Sequence, residues 1–143
     1  MKTSKRLALE GGISIGSLLL AKLNGAYNLM GGLWPLLSMA LFEAATGPKQ
    51  DEWLLRTVAG ILTFTGGLLL HDVFFRKRID RYLRVMAFGI AAVLALVALV
   101  SSVGGWIARI YFLYGLARLT FAIAWVFILR RSGSSQNAAR TLN

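Results

Sequence analysis

At 143 residues, 57% of them hydrophobic and 15% charged, with a mean hydropathy of +0.64, this chain carries too little polar surface to clothe a soluble globule. The absence of cysteine excludes a disulfide framework, a thiolate metal site and a cysteine nucleophile, and a single histidine weakens any other metal centre. The net charge of +10 is gathered into short stretches, where it bears on membrane topology and anionic lipid headgroups; no nucleic-acid-binding module is legible.

A hydrocarbon core of roughly 30 Å needs about 20 apolar residues per helix. The chain has room for four, which predicts an all-α fold, a single membrane-spanning four-helix bundle over residues 1–143. Residues 1–10 are basic through Lys2, Lys5 and Arg6, and a modest apolar stretch over 11–20 is then interrupted by Lys22 and Asn24. The pattern imitates a signal peptide, but Glu10 at its edge and the poor cleavage context "AKLNGA" argue for a retained segment, either lying at the interface or extending the first helix.

The first span is placed at 25–45, where Pro35 loosens the helix and Gly31-Gly32 admits a close neighbour. The second falls at 53–70, the third at 85–103 and the fourth at 106–129, with a polar, mobile tail over 132–143. Small residues form packing strips at Ala59, Thr63 and Gly67 on the second span and at Ala91, Ala95, Ala98 and Ser102 on the third. Gly12-x-x-x-Gly16 offers a further pairing face, for a homo-oligomer or a membrane protein partner.

Short loops rich in Lys and Arg stay in the cytoplasm. The N-terminal arm, the connection with Arg76, Lys77, Arg78, Arg81 and Arg84, and the Arg130-Arg131 pair are basic, whereas "TGPKQDE" and "SSVGG" are not. Both termini are therefore expected inside. The connection over 74–84 reads as a basic amphipathic elbow, with Phe75, Ile79 and Leu83 on one face and the cations of 76–84 available to anionic headgroups. His71 and Asp72, at its start, read as solvated interface residues.

The turn "TGPKQDEWLLRTV" combines Gly47 and Pro48 as a helix stop, Asp51 and Glu52 at a helix start, Trp53 at the interface, and Glu52 with Arg56 at i, i+4. Charges inside apolar spans are less easily placed, since an arginine near the middle of hydrocarbon costs about 2.5–3.5 kcal/mol on insertion scales. Glu43, Arg56 and Arg109 share one outer level, where Glu43 can pair with either arginine. Arg118 falls mid-span with no carboxylate at its level; it snorkels, faces a wet cavity or binds an anion, and its available polar partners are Tyr27, Asn28, Tyr114, Thr63, Thr65 and carbonyls freed near Pro35. A short echo, "WLLR" at 53–56 and "WIAR" at 106–109, fits either two similar hairpins or two interfacial anchors.

The same thirteen residues resemble a Thr-Gly-Pro-Lys-x-Asp-x-Trp-Leu-x-Arg-Thr-Val run of uncharacterised small bacterial four-helix membrane proteins, in which it joins the first two spans. The resemblance implies a multi-pass protein of the bacterial cytoplasmic membrane and marks Lys49, Asp51, Trp53 and Arg56 as the place of any shared purpose; it implies no activity, ligand or cofactor. The candidate binding residues are thus Glu43, Lys49, Asp51, Arg56, Arg109 and Arg118, with no catalytic constellation, metal site or cofactor. The first reading is a non-enzymatic membrane component that supports a partner or lipid environment. The alternative is a subunit of an oligomeric transporter or channel, with the intramembrane arginines on an anion or proton path.

Overall fold

The computed structural model describes the backbone of residues 2–48, 51–105 and 110–140 and the side chains of 15–48, 51–105 and 110–131. Among the described residues all regular structure is helical: α1 (Lys2–Leu37), α2 (Met39–Thr46), α3 (Glu52–His71), α4 (Arg81–Val103) and α5 (Ile110–Arg140). Glu52–Arg76, Arg81–Val103 and Ile110–Arg131 are long and apolar enough to cross a membrane, and Ile15–Leu37 with Met39–Thr46 makes a fourth if that bent pair is one span. Their outer faces carry exposed Leu19, Leu23, Ile61, Phe64, Leu96 and Leu113, an apolar exterior of the kind a bilayer covers.

The expected first span, 25–45, takes in a sharp bend. α1 stops at Leu37, and α2 leaves at 111° to it. Pro35 supplies no N–H and crowds the preceding turn, and Ser38 then goes extended (φ −151°, ψ 92°) to become the N-cap of α2, its Oγ accepting from Leu41 N–H at 3.4 Å. Trp34 and Phe42 close the angle edge to face, ring centroids 5.6 Å apart. At its far end α2 stops at Gly47, whose φ of +89° favours glycine and whose N–H donates to the Glu43 carbonyl at 2.7 Å. α1 also runs on without a break N-terminal to the expected span. Asn24 is turned inside and Lys22 outward, 5.8 Å from the Phe74 ring, so neither interrupts the helix.

The α5 backbone is helical to Arg140, so the helix runs on into the stretch expected as a polar tail, of which 141–143 lie outside the described residues. Two expectations do change. The elbow over 74–84 is not one amphipathic helix. A wider π-helical turn (Asp72–Arg76) ends at Lys77 in the left-handed region (φ 52°), and α4 restarts after Asp80. That break turns Phe75 out, 78% exposed, while Ile79 is buried. Asp72 is enclosed rather than solvated, 3.6 Å from both His71 Nδ1 and Arg76 Nε.

The helices pack as two antiparallel pairs, α1 with α3 and α4 with α5, joined mainly through α1 and α5. Backbone approach in the first pair is close enough to demand glycine: a Cβ at Gly32 would lie 2.5 Å from the Ala59 carbonyl, and one at Gly66 would lie 2.6 Å from Leu29 N. The strip on α3 is thus Ala59, Thr63 and Gly66; Gly67, expected in it, looks into open space because the helix rotates by one residue around the contact. Ala87, Ala91, Ala95 and Ala98 form the α4 strip, and Gly115 of α5 meets Leu99 beside it.

Candidate functional site

α1 and α5 bring one charge into the interior. Arg118 is fully buried, on the α5 face that also turns Gly115, Ala122 and Trp125 inward at helical spacing. Its Nε donates to the Tyr114 hydroxyl at 2.9 Å, and Nη1 donates to Asn28 Oδ1 on α1. The guanidinium packs beside a stacked pair of rings, Tyr27 and Tyr114 (centroids 6.1 Å apart), its Cζ 4.8 Å from the Tyr27 centroid and 4.9 Å from that of Tyr114. Each such contact is worth about 2 kcal/mol when desolvated. Together they are comparable to the cost of placing an arginine in hydrocarbon, about 2.5–3.5 kcal/mol on insertion scales. Arg118 neither snorkels nor pairs with a carboxylate among the described residues; a cage of neutral groups holds it.

Three of the polar partners expected for Arg118, Tyr27, Asn28 and Tyr114, are the ones it uses. Thr63 and Thr65 instead bond within α3, Thr63 Oγ1 to the Ala59 carbonyl at 2.8 Å and Thr65 Oγ1 to that of Ile61 at 2.9 Å. Short hydroxyl side chains on a helix reach their own i−4 carbonyl more readily than a neighbour.

The same two tyrosines form part of the wall of a chamber of about 610 Å³ at the α2 end of the bundle. α1 contributes Met30, Gly31, Trp34 and Pro35; α2 contributes Phe42 and Thr46; α3 contributes Leu55, Val58, Ala59 and Leu62. Leu94, Val97 and Ala98 of α4 and Ile110, Tyr111 and Tyr114 of α5 complete it, so every helix takes part. Its origin is the small size of Gly31, Ala59 and Ala98 where the two helix pairs face each other: a Cβ at Gly31 would meet nothing within 4 Å. A smaller cavity of about 250 Å³ adjoins it between α3 and α4, lined by Val58, Ile61, Gly89, Ile90 and Val93 among others.

The remaining candidates occupy different settings. Glu43 is half-buried on α2, and Asp51 is exposed at the start of α3, where its side chain makes no capping bond. Arg56 bonds Glu52 Oε2 at 3.3 Å, both about half exposed, which is the i, i+4 pair of its own helix. Lys49 and Arg109, and with Arg109 the "WIAR" half of the echo, lie outside the described residues.

Sequence reasoning missed Asn24, Trp125 and the chamber. A signal existed for the first: Ser17, Ala21, Asn24 and Asn28 recur at helical spacing and are all buried, a polar row on an inward face. The chamber depends on which small residues oppose one another across helices, which no local pattern carries.

Comparison of the chain with protein families, with curated proteins and with solved structures finds no match.

Proposed function

We propose that this chain is a non-enzymatic, multi-pass component of the bacterial cytoplasmic membrane, with both termini in the cytoplasm, and that its chamber holds the apolar chain of a membrane lipid. The observation that carries this reading is the chamber itself. Its volume of about 610 Å³ lies within the range of ligand pockets, roughly 300–1,000 Å³. The chamber opens to the outside of the bundle, and its walls are almost wholly aliphatic and aromatic, a surface that favours hydrocarbon over water. The basic arm, the 76–84 connection and Arg130-Arg131 support the orientation, with the connection resting on anionic headgroups. The turn's resemblance to bacterial four-helix proteins supports the membrane assigned.

A transporter or channel subunit would require Arg118 on a solute path, in an oligomer. The complete enclosure of Arg118 within one chain, by uncharged side chains, favours the component reading instead.

Native mass spectrometry of the protein released from mild detergent tests the lipid assignment. One retained lipid per chain is expected, and Gly31→Leu, whose side chain enters open space in the chamber, should lower its retention at least tenfold. Equal retention by both proteins, or none by either, refutes it. Because the chain lacks cysteine, Lys77→Cys and Glu52→Cys report topology directly through an impermeant maleimide. Residue 77 should react only from the cytoplasm and residue 52 only from outside.

A further inference from the structure

The chamber has two unlike sides. Its aromatic residues, Tyr27, Trp34, Phe42, Tyr111 and Tyr114, all stand on α1, α2 and α5, whereas α3 and α4 contribute only aliphatic ones. The rings form two groups. Tyr27 and Tyr114 stack with centroids 6.1 Å apart and Tyr111 meets Tyr114 edge to face at 6.2 Å, while Trp34 meets Phe42 in the same way at 5.6 Å. Such a wall favours a flat conjugated ring over a saturated chain, because ring on ring adds a preferred geometry to the burial of area.

The opposite side leads outward. The smaller cavity between α3 and α4 shares Val58, Leu62 and Leu94 with the chamber, and the two helix pairs are joined mainly through α1 and α5, so an aliphatic passage continues between α3 and α4. Ile61 and Val93 line that passage and are each more than half exposed, on the surface that hydrocarbon covers.

The polar groups of the wall narrow the choice of head. Among the described residues no charged side chain lines the chamber, so a phosphate or carboxylate drawn inside would lack a counter-charge. Thr46 turns its hydroxyl to the Phe42 carbonyl at 2.8 Å. The other polar side-chain groups are three phenols and the indole N–H of Trp34, all able to donate. Arg118, behind the wall, donates to the Tyr114 oxygen at 2.9 Å, which leaves that phenol its own proton to give. The head that matches is flat, uncharged and equipped with acceptors, and its hydrocarbon tail points away from the rings.

We propose that the lipid of the chamber is a prenylquinone, an assignment that rests on the lipid reading above. The quinone ring lies against the aromatic side, a ring carbonyl accepts from the Tyr114 hydroxyl, and the isoprenoid tail leaves between α3 and α4.

Decylubiquinone is the probe and phosphatidylglycerol its rival. The full chain in mild detergent is given both in equal amounts and read by native mass spectrometry. A one-to-one quinone adduct is expected, and it should be lost in Gly31→Leu. A phosphatidylglycerol adduct in its place overturns the quinone and leaves the lipid reading standing; no adduct of either kind overturns both. Quinones also quench indole fluorescence, and Trp34 belongs to the wall. Quenching should saturate, lose its saturable part in Trp34→Phe, and need about fivefold more quinone for half-saturation in Tyr114→Phe, the effect of losing one hydrogen bond. Quenching that only rises linearly, as from quinone dissolved in the micelle, overturns the proposal, as does a half-saturation unchanged in Tyr114→Phe.

Discussion

Arg56 and Arg118 put the same side chain on two different helices, α3 and α5, and into opposite circumstances. Arg56 is half exposed and holds a carboxylate one turn away on its own helix; Arg118 is fully buried and holds a phenol, an amide and two ring faces on two helices. The difference teaches where each kind of partner pays off. At an exposed level, water competes for both ions, and the pair contributes between zero and about 1 kcal/mol. In the interior a buried carboxylate would carry its own desolvation penalty, so neutral acceptors and π faces satisfy the cation with less to desolvate.

Four substitutions sharpen or break this contrast, each read as the change in unfolding free energy during dodecyl sulfate titration monitored by circular dichroism. Tyr114→Leu removes a ring face and the acceptor for Nε together, and should destabilise by about 3 kcal/mol. Tyr114→Phe should recover the ring's share of that loss. Next, Asn28→Leu takes the acceptor of Nη1 and should lower stability by about 2 kcal/mol, the usual value of a hydrogen bond to a buried charge. Smallest is Arg56→Ala, expected to change stability by no more than about 0.5 kcal/mol and to lose even that effect at high salt. An Arg56→Ala loss as large as that of Asn28→Leu would abolish the distinction between the two sites.

A separate test bears on the bend. Ser38→Ala removes the N-cap acceptor of α2 and should reduce stability by about 1 kcal/mol.

The helices and most of their charges were legible because hydropathy and helical spacing are local. The run Arg81–Val103 has hardly a polar side chain beyond its first turn, and Glu52 with Arg56 reads directly from its spacing. The cage around Arg118 was legible in composition: Tyr27, Asn28 and Tyr114 stood out as polar residues in apolar helices. Its arrangement was not, since only tertiary register decides that Asn28 faces Arg118 while Thr63 turns to its own backbone. The start of the first helix is a related case. Lys22 and Asn24 lower the hydropathy of α1, but one lies outward against Phe74 and the other inside, and a window average cannot separate those fates. Pro35 gave warning of a disturbance, and Ser38, an ordinary residue in that setting, located it.

The length of α1 has a consequence for the molecule's profile. Its 36 residues make about 54 Å of helix at 1.5 Å per residue, well beyond the roughly 30 Å of a bilayer's hydrocarbon. α5, with 31 residues, makes about 46 Å and runs antiparallel to α1. Each helix thus exceeds the hydrocarbon by some 15–25 Å, and the N-terminal end of α1 and the C-terminal end of α5 lie together at one end of the bundle, away from the bend at Ser38.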